Sequence, residues 1–157
     1  MWRIATAADD KELIALCADL NREDPGPEPV PPGHMRRTLE YLRAEPARGR
    51  ALALDIGGAT VGYALLVSFW SNELGGEICN VDELYVRPEH RGRGAATSLI
   101  RQLAGGTAPF WPGRPVAIEL EFTPGNPGAG GFYARLGFAP AKNQLMRLAL
   151  SKTDTTQ

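Results

Sequence analysis

Two glycines alternate with two arginines in Arg91-Gly92-Arg93-Gly94-Ala95-Ala96, between an apolar strand pattern, Glu83-Leu84-Tyr85-Val86, and a helical pattern running from Thr97 to Leu103. Glycines one residue apart let backbone N–H groups converge into a concavity, and a helix that starts there adds the positive end of its dipole. Such a corner is built to hold an anion, most naturally a pyrophosphate. A Walker loop would end in Gly-Lys-Ser/Thr, which the chain lacks, and a dinucleotide fingerprint would carry a third glycine where Thr97 stands. Arg87, His90, Arg91 and Arg93 surround the loop with basic groups, of which Arg91 and Arg93 are best placed to reach a phosphate. A solvated face or an RNA contact is the other reading of that cluster.

What remains, Arg91-x-x-Gly94-x-Ala96, resembles the coenzyme A pyrophosphate loop of the GNAT superfamily of N-acetyltransferases. A second stretch strengthens the resemblance: Asn126-x-x-Ala129, then Phe132-Tyr133-x-x-x-Gly137-Phe138, follows the superfamily's later motif in the same order. The segment Val81-Asp82-Glu83-Leu84-Tyr85-Val86-Arg87-Pro88 is similar to its fourth strand and proline exit. The likeness is tightest between Val81 and Phe138.

The resemblance implies acetyl-CoA as cosubstrate and an amine, on a small molecule or a protein, as acceptor. It places the cofactor against the backbone of Leu84, Tyr85 and Val86, the loop Arg91, Gly92, Arg93, Gly94, Ala95, Ala96 and Thr97, and Asn126. It also makes Tyr133 the acid that protonates the leaving thiolate. An alkylamine enters mostly protonated, so the transfer needs a carboxylate to accept a proton, directly or through water. Glu83 is favoured and Asp82 follows closely; side chains alternate along a strand, so both reach one face only if a bulge intervenes. Glu121 is a third candidate, by likeness to ribosomal-protein-type members. Each carboxylate has an ordinary reading as a solvated strand end, Tyr133 as a core aromatic, and Asn126 as the cap of a helix opened by Pro127.

With 157 residues, 43% hydrophobic, 22% charged and a formal net charge of −1, the chain reads as one globular domain spanning residues 1–150 with a polar tail, 151–157. That charge gives no global field to recruit nucleic acid or an acidic membrane. No apolar run approaches the roughly 18 to 20 residues of a membrane span. Cys17 and Cys79 lack the neighbours of a metal knuckle and read as buried free thiols, so no metal and a cytoplasmic setting are expected.

The periodicities predict a short strand at Trp2–Ala5, a helix capped by Thr6-x-x-Asp9, and a loop across Asp24–Gly33, where five prolines fall. A second helix carries Met35, Leu39 and Leu42. Hairpins follow through the turns at Gly57-Gly58 and Gly75-Gly76, then strand, helix, strand, helix and a closing strand from Gln144 to Leu150. This is a mixed α/β (α+β) pattern. With the resemblance, it implies the acyl-CoA N-acyltransferase fold: a seven-stranded, largely antiparallel mixed sheet flanked by about four helices, with the fourth and fifth strands splayed around the cofactor. The acceptor is expected between the first two helices, their proline-rich connector and the hairpin loop holding Phe69, Trp70 and Glu73, with Glu23, Asp24 and Glu28 favouring cations. A non-catalytic acyl-CoA sensor and a small RNA- or protein-interaction module are the rival readings, and a homodimer stays open.

Overall fold

The computed structural model describes residues 1–150; the polar tail, 151–157, lies outside them. Five strands form one sheet in chain order: β1 (Trp2–Ile4), β2 (Gly49–Ile56), β3 (Ala59–Ser71), β4 (Gly76–Val86) and β5 (Ala117–Leu120). The first four pair antiparallel and β5 joins β4 in parallel. Helices α1 (Asp10–Glu23) and α2 (Pro32–Ala44) precede β2, α3 (Ala95–Gly105) links β4 to β5, and α4 (Pro127–Arg135) follows β5.

Strand alternation builds two cores. Ala51, Ala53, Tyr63 and Leu65 face α1 and α2, meeting Leu13, Leu16, Cys17, Met35, Leu39 and Leu42. Leu52, Leu54, Ala64 and Leu66 face the opposite side, with Leu99, Ile100 and Leu103 of α3. Strand β4 changes this parity midway. Leu66 is opposite Val81 but Leu65 is opposite Glu83, so Asp82 is an extra residue with no partner on β3. Before this bulge the odd residues Cys79 and Val81 face α3; after it the even residues Leu84 and Val86 do, and Tyr85 joins the α1/α2 side. One inserted residue therefore re-aims everything that follows on the strand.

The seven-stranded expectation is corrected: the described residues form five strands, and residues 144–150 are not a strand. A segment becomes a strand only when its backbone groups meet an edge, and no backbone hydrogen bond ties residues 139–150 to β5. Leu145, Met146, Leu148 and Leu150 are correspondingly exposed. Conversely, Ala108, Phe110 and Trp111, in the irregular α3–β5 connection, are buried in the core that α3 covers.

Arg3 fastens the start of the chain. Its guanidinium contacts Asp9 at 2.7 Å, before α1, and Asp55 at 2.5 Å, on β2. Arg3 holds the Asp9 carboxyl far below the usual carboxylate range against the opposing effect of burial, and lowers Asp55 as well. Carboxyls depressed by folding contribute stability above their unfolded value, about pH 4, and lose it as pH falls through the folded value. The expected result is that Arg3→Met flattens the acid side of the pH–stability curve below about pH 4 and costs about 1 kcal/mol at neutral pH, the partly exposed network being screened by solvent. Urea titrations across pH measure both.

Candidate active site

The loop after β4 forms the concavity its glycines suggest. Gly92 and Gly94 have φ of +74° and +81°, a region open to glycine at little cost, and Gly94 is the N-cap of α3. No side chain caps this helix and its first turn holds no acidic residue, leaving first-turn N–H groups directed outward for an anion. A cavity of about 440 Å³ opens there, lined by Gly92, Gly94, Ala95, Ala96 and Thr97 at one end and by Leu84, Val86, Phe132 and Tyr133 at the other. His90 also lines it, its Nδ1 buried without a hydrogen-bond partner among the described residues. Donors at one end and an apolar channel at the other fit a ligand with a diphosphate and a long uncharged arm.

The channel exists because β4 outruns β5. Their parallel pairing ends at Val81 and Leu120, while β4 continues to Val86. From Asp82 onward its edge is open on the β5 side, as a splayed pair of strands requires.

A second cavity, about 900 Å³, adjoins the first and shares Leu84, Val86, Arg91, Phe132 and Tyr133 with it. Its walls carry Glu23, Asp24, Glu28, Asp82, Glu83 and Glu121, against Arg91 and Arg147 as cations. The end of α1 and the proline-rich connector contribute Leu20, Asn21, Gly26, Pro27 and Val30. Phe69, Trp70 and Glu73 line neither cavity, and both aromatics stand exposed, so the hairpin loop is not a wall of this pocket.

The bulge brings Asp82 and Glu83 to the same pocket, together with Glu121. Burial raises Glu83 above the usual carboxylate range; the Tyr63 hydroxyl, donating to its Oε2 at 2.6 Å, draws it back, and the Asp82 charge adds to the rise. The Cys17 thiol lies 3.9 Å from the same oxygen. Asp82 is raised by desolvation and then by the Glu121 charge. Glu121 lies just beyond β5 and, like Asp82, is exposed.

Tyr133 is half-buried on α4, its ring edge-on to Phe132 and Phe138 at 5.0 and 5.5 Å. Desolvation raises its phenol, which therefore stays protonated at neutral pH and can donate. Asn126 is the N-cap of α4, its Oδ1 accepting from the Ala129 N–H, and its amide donates to Asp24 at 2.9 Å. Thr123 donates to the other Asp24 oxygen, so Asp24 clamps the end of α1 to the start of α4.

Arg91 is already engaged. Its Nε donates to the Val86 carbonyl and its Nη2 to Glu23, both at 2.6 Å, and its guanidinium lies over the Tyr85 ring. Tyr85 also donates to Glu23, and these contacts lower the Glu23 carboxyl, Tyr85 first and Arg91 next against burial. Arg93 lines neither cavity and donates to the Glu89 carbonyl, while Arg87 pairs with Glu12. Cys17 and Tyr63 beneath Glu83 carry no motif; the signal that marks Tyr63 is a hydroxyl inside the apolar run Val61-Gly62-Tyr63-Ala64-Leu65-Leu66-Val67.

The pattern of the acetyltransferase (GNAT) family matches residues 13–138. The chain belongs to the GNAT family. No curated protein matches it. Among solved structures, an integron cassette protein from the mobile metagenome of Cole Harbour Salt Marsh is 27% identical with a TM-score of 0.72, over 97% of this chain and 91% of that one. A possible acetyltransferase from Clostridium difficile 630 superimposes with a TM-score of 0.80 at 16% identity, over 96% and 97% of the two chains. A protein of Clostridium acetobutylicum, described as a predicted acetyltransferase with acetyl-CoA, reaches 0.71 at 17% identity, over 94% and 95%. GNAT members are acyltransferases, and the mixed α/β architecture found here is theirs. The described residues contain no metal-binding group of three or more His, Cys, Asp or Glu, and no helix long and apolar enough to cross a membrane.

Proposed function

We propose that this GNAT protein is an acetyl-CoA-dependent N-acetyltransferase that acetylates a primary amine by direct attack, with both reactants bound together. The observation that carries the reading is the meeting of the two cavities at β4 and α4: a donor-ended apolar channel opens beside a carboxylate-lined pocket, and Tyr133 lines both. Acetyl-CoA, when bound, supplies an activated acetyl thioester. Backbone N–H groups from Gly92 to Thr97 would hold its diphosphate, and the open edge at Leu84, Tyr85 and Val86 its pantetheine arm. The acetyl-CoA named with the Clostridium acetobutylicum neighbour supports this assignment.

The acceptor enters the acidic pocket as an ammonium. Glu83, whose carboxyl burial raises above the usual carboxylate range, takes a proton from the nitrogen; Asp82 and Glu121 are the alternatives, directly or through water. The freed lone pair attacks the acetyl carbon as the carbon–sulfur bond breaks, and the Tyr133 hydroxyl gives its proton to the departing sulfur. Nitrogen loses two protons in all: the first, taken from the ammonium, ends on the carboxylate and exchanges to solvent, and the second, shed as the amide forms, passes through water and restores the phenol. Asn126 supports the site by holding Asp24 and the start of α4. Two buried free cysteines support a reducing, cytoplasmic setting.

Thermal stability with acetyl-CoA, followed by thiol release across alkylamines, diamines, amino acids and alanyl-terminated peptides, tests the proposal. At 100 times Kd the cofactor should stabilise the fold by about 2.7 kcal/mol, and at least one amine should release thiol at the rate it is acetylated. Stabilisation without thiol release from any amine would instead favour an acyl-CoA sensor. No stabilisation would favour an interaction module.

A further inference from the structure

The Glu83 side chain is held from below. Tyr63, on β3, is fully buried, and its hydroxyl donates to Glu83 Oε2 at 2.6 Å. The Cys17 Sγ of α1 approaches the same oxygen at 3.9 Å, and Asn21 of α1 donates to the Cys17 carbonyl at 2.7 Å. The Tyr63 hydroxyl and the Cys17 thiol converge on one carboxylate oxygen from the core side, where α2 and β2 contribute the buried apolar residues Met35, Leu39, Leu42, Ala51 and Ala53. Among the described residues, no arginine or lysine forms a salt bridge with Glu83. A desolvated carboxylate is normally neutralised by a cation or by protonation; here a partly buried one rests on a phenol and a thiol.

We propose that Tyr63 is the positioning residue of the catalytic base: it anchors Oε2, directs Oε1 into the acceptor pocket, and sets the pH at which Glu83 becomes able to take a proton. The inference rests on the acetyltransferase reading and adds a residue outside both cavities to its machinery. The parity change at Asp82 is what makes it possible. Without the extra residue, Glu83 would face α3, whereas Tyr63 and Cys17 lie on the α1/α2 side. A hydroxyl in this place stabilises the ionised carboxylate over the neutral acid, opposing the desolvation that raises Glu83.

The other titratable groups bearing on Glu83 are the Asp82 charge from β4, the Cys17 thiol, which burial pushes up to about 11, and Glu121 and Tyr133 across the pocket. Glu23, of α1, is committed to Tyr85 and Arg91. The Tyr63 phenol itself is held far above its ordinary range, by burial first and then by the Glu83 charge, so it stays a donor at every pH of interest.

The test pairs carbon-13 NMR titration of the Glu83 carboxyl with the pH dependence of acetyl transfer to 1,4-diaminobutane, or to an alanyl-terminated peptide where that turns over faster. In Tyr63→Phe, which keeps the ring and removes only the donor, the Glu83 midpoint should move up by about one pH unit. The acid limb of kcat should move with it, giving about tenfold less activity one unit below the wild-type midpoint and a smaller deficit well above it, where only the lost anchoring of Oε2 remains. An unmoved Glu83 midpoint overturns the proposal. A midpoint that moves while the acid limb stays also overturns it, and transfers the base role to Asp82 or Glu121. The wild-type protein gives a reading that needs no variant: the Tyr63 ring carbon bearing oxygen should titrate with the Glu83 midpoint, and its indifference to Glu83 would contradict the coupling. The NMR arms need no turnover. Failure of the acetyltransferase reading, seen as no thiol release from any amine, is thus distinct from failure of the Tyr63–Glu83 link.

Discussion

Replacing Tyr133 by phenylalanine is expected to lower kcat about 10²- to 10⁴-fold while leaving the affinity for acetyl-CoA nearly unchanged. The substitution keeps the ring and its edge-on contacts with Phe132 and Phe138, so the packing of α4 survives. What disappears is a hydroxyl placed where the cofactor channel meets the acceptor pocket. Desolvation already holds this phenol protonated, so its contribution is a proton delivered as sulfur leaves. Steady-state kinetics and calorimetric titration of acetyl-CoA on the same variant separate the two effects. A variant with full kcat would return Tyr133 to the role of a core aromatic.

Glu83→Gln is the second large effect, a loss of about 10² to 10³ in kcat near neutral pH. Glutamine retains an oxygen to accept from Tyr63, so the anchor stays and only the ability to take a proton is lost. The deficit should shrink as the pH rises toward the value of a free alkylamine, about 10.4 for a lysine-like group, because the acceptor then arrives already neutral. This recovery distinguishes a base from a carboxylate that merely attracts a cation, whose loss would appear in KM at all pH values. Asp82→Asn and Glu121→Gln are expected to have smaller effects on kcat. A reversed ranking would move the base along the wall.

Much of this site is local in sequence, and that part is legible. The strand-loop-helix corner at Val86–Ala95 needs only its glycines and the helix that follows. Asn126 and Pro127 announce the start of α4, and Met35, Leu39 and Leu42 mark the buried face of α2. The bulge at Asp82 is not legible, because a strand shows its bulge only against its partner. Alternation alone sends Asp82 and Glu83 to opposite faces; the pairing with β3 brings both to the pocket. Tyr63 and Cys17 lie 20 and 66 residues from Glu83 and join it only through sheet register and the packing of α1. Arg91 is a related case. Its place beside the phosphate loop is visible in sequence, but its bonds to Glu23 and Val86 depend on where α1 ends. The apolar run at Leu145–Leu150 has strand composition without strand pairing, since composition supplies side chains and an edge supplies hydrogen bonds.

Backbone amide chemical shifts recorded while coenzyme A is titrated in test the central claim most directly. If the loop after β4 holds the diphosphate, the largest changes fall on Gly92, Gly94, Ala95, Ala96 and Thr97, with a second group at Leu84, Tyr85 and Val86, and little change along β1 and β2. Saturating coenzyme A that leaves these amides unmoved, or that shifts a different face of the sheet, would contradict the account.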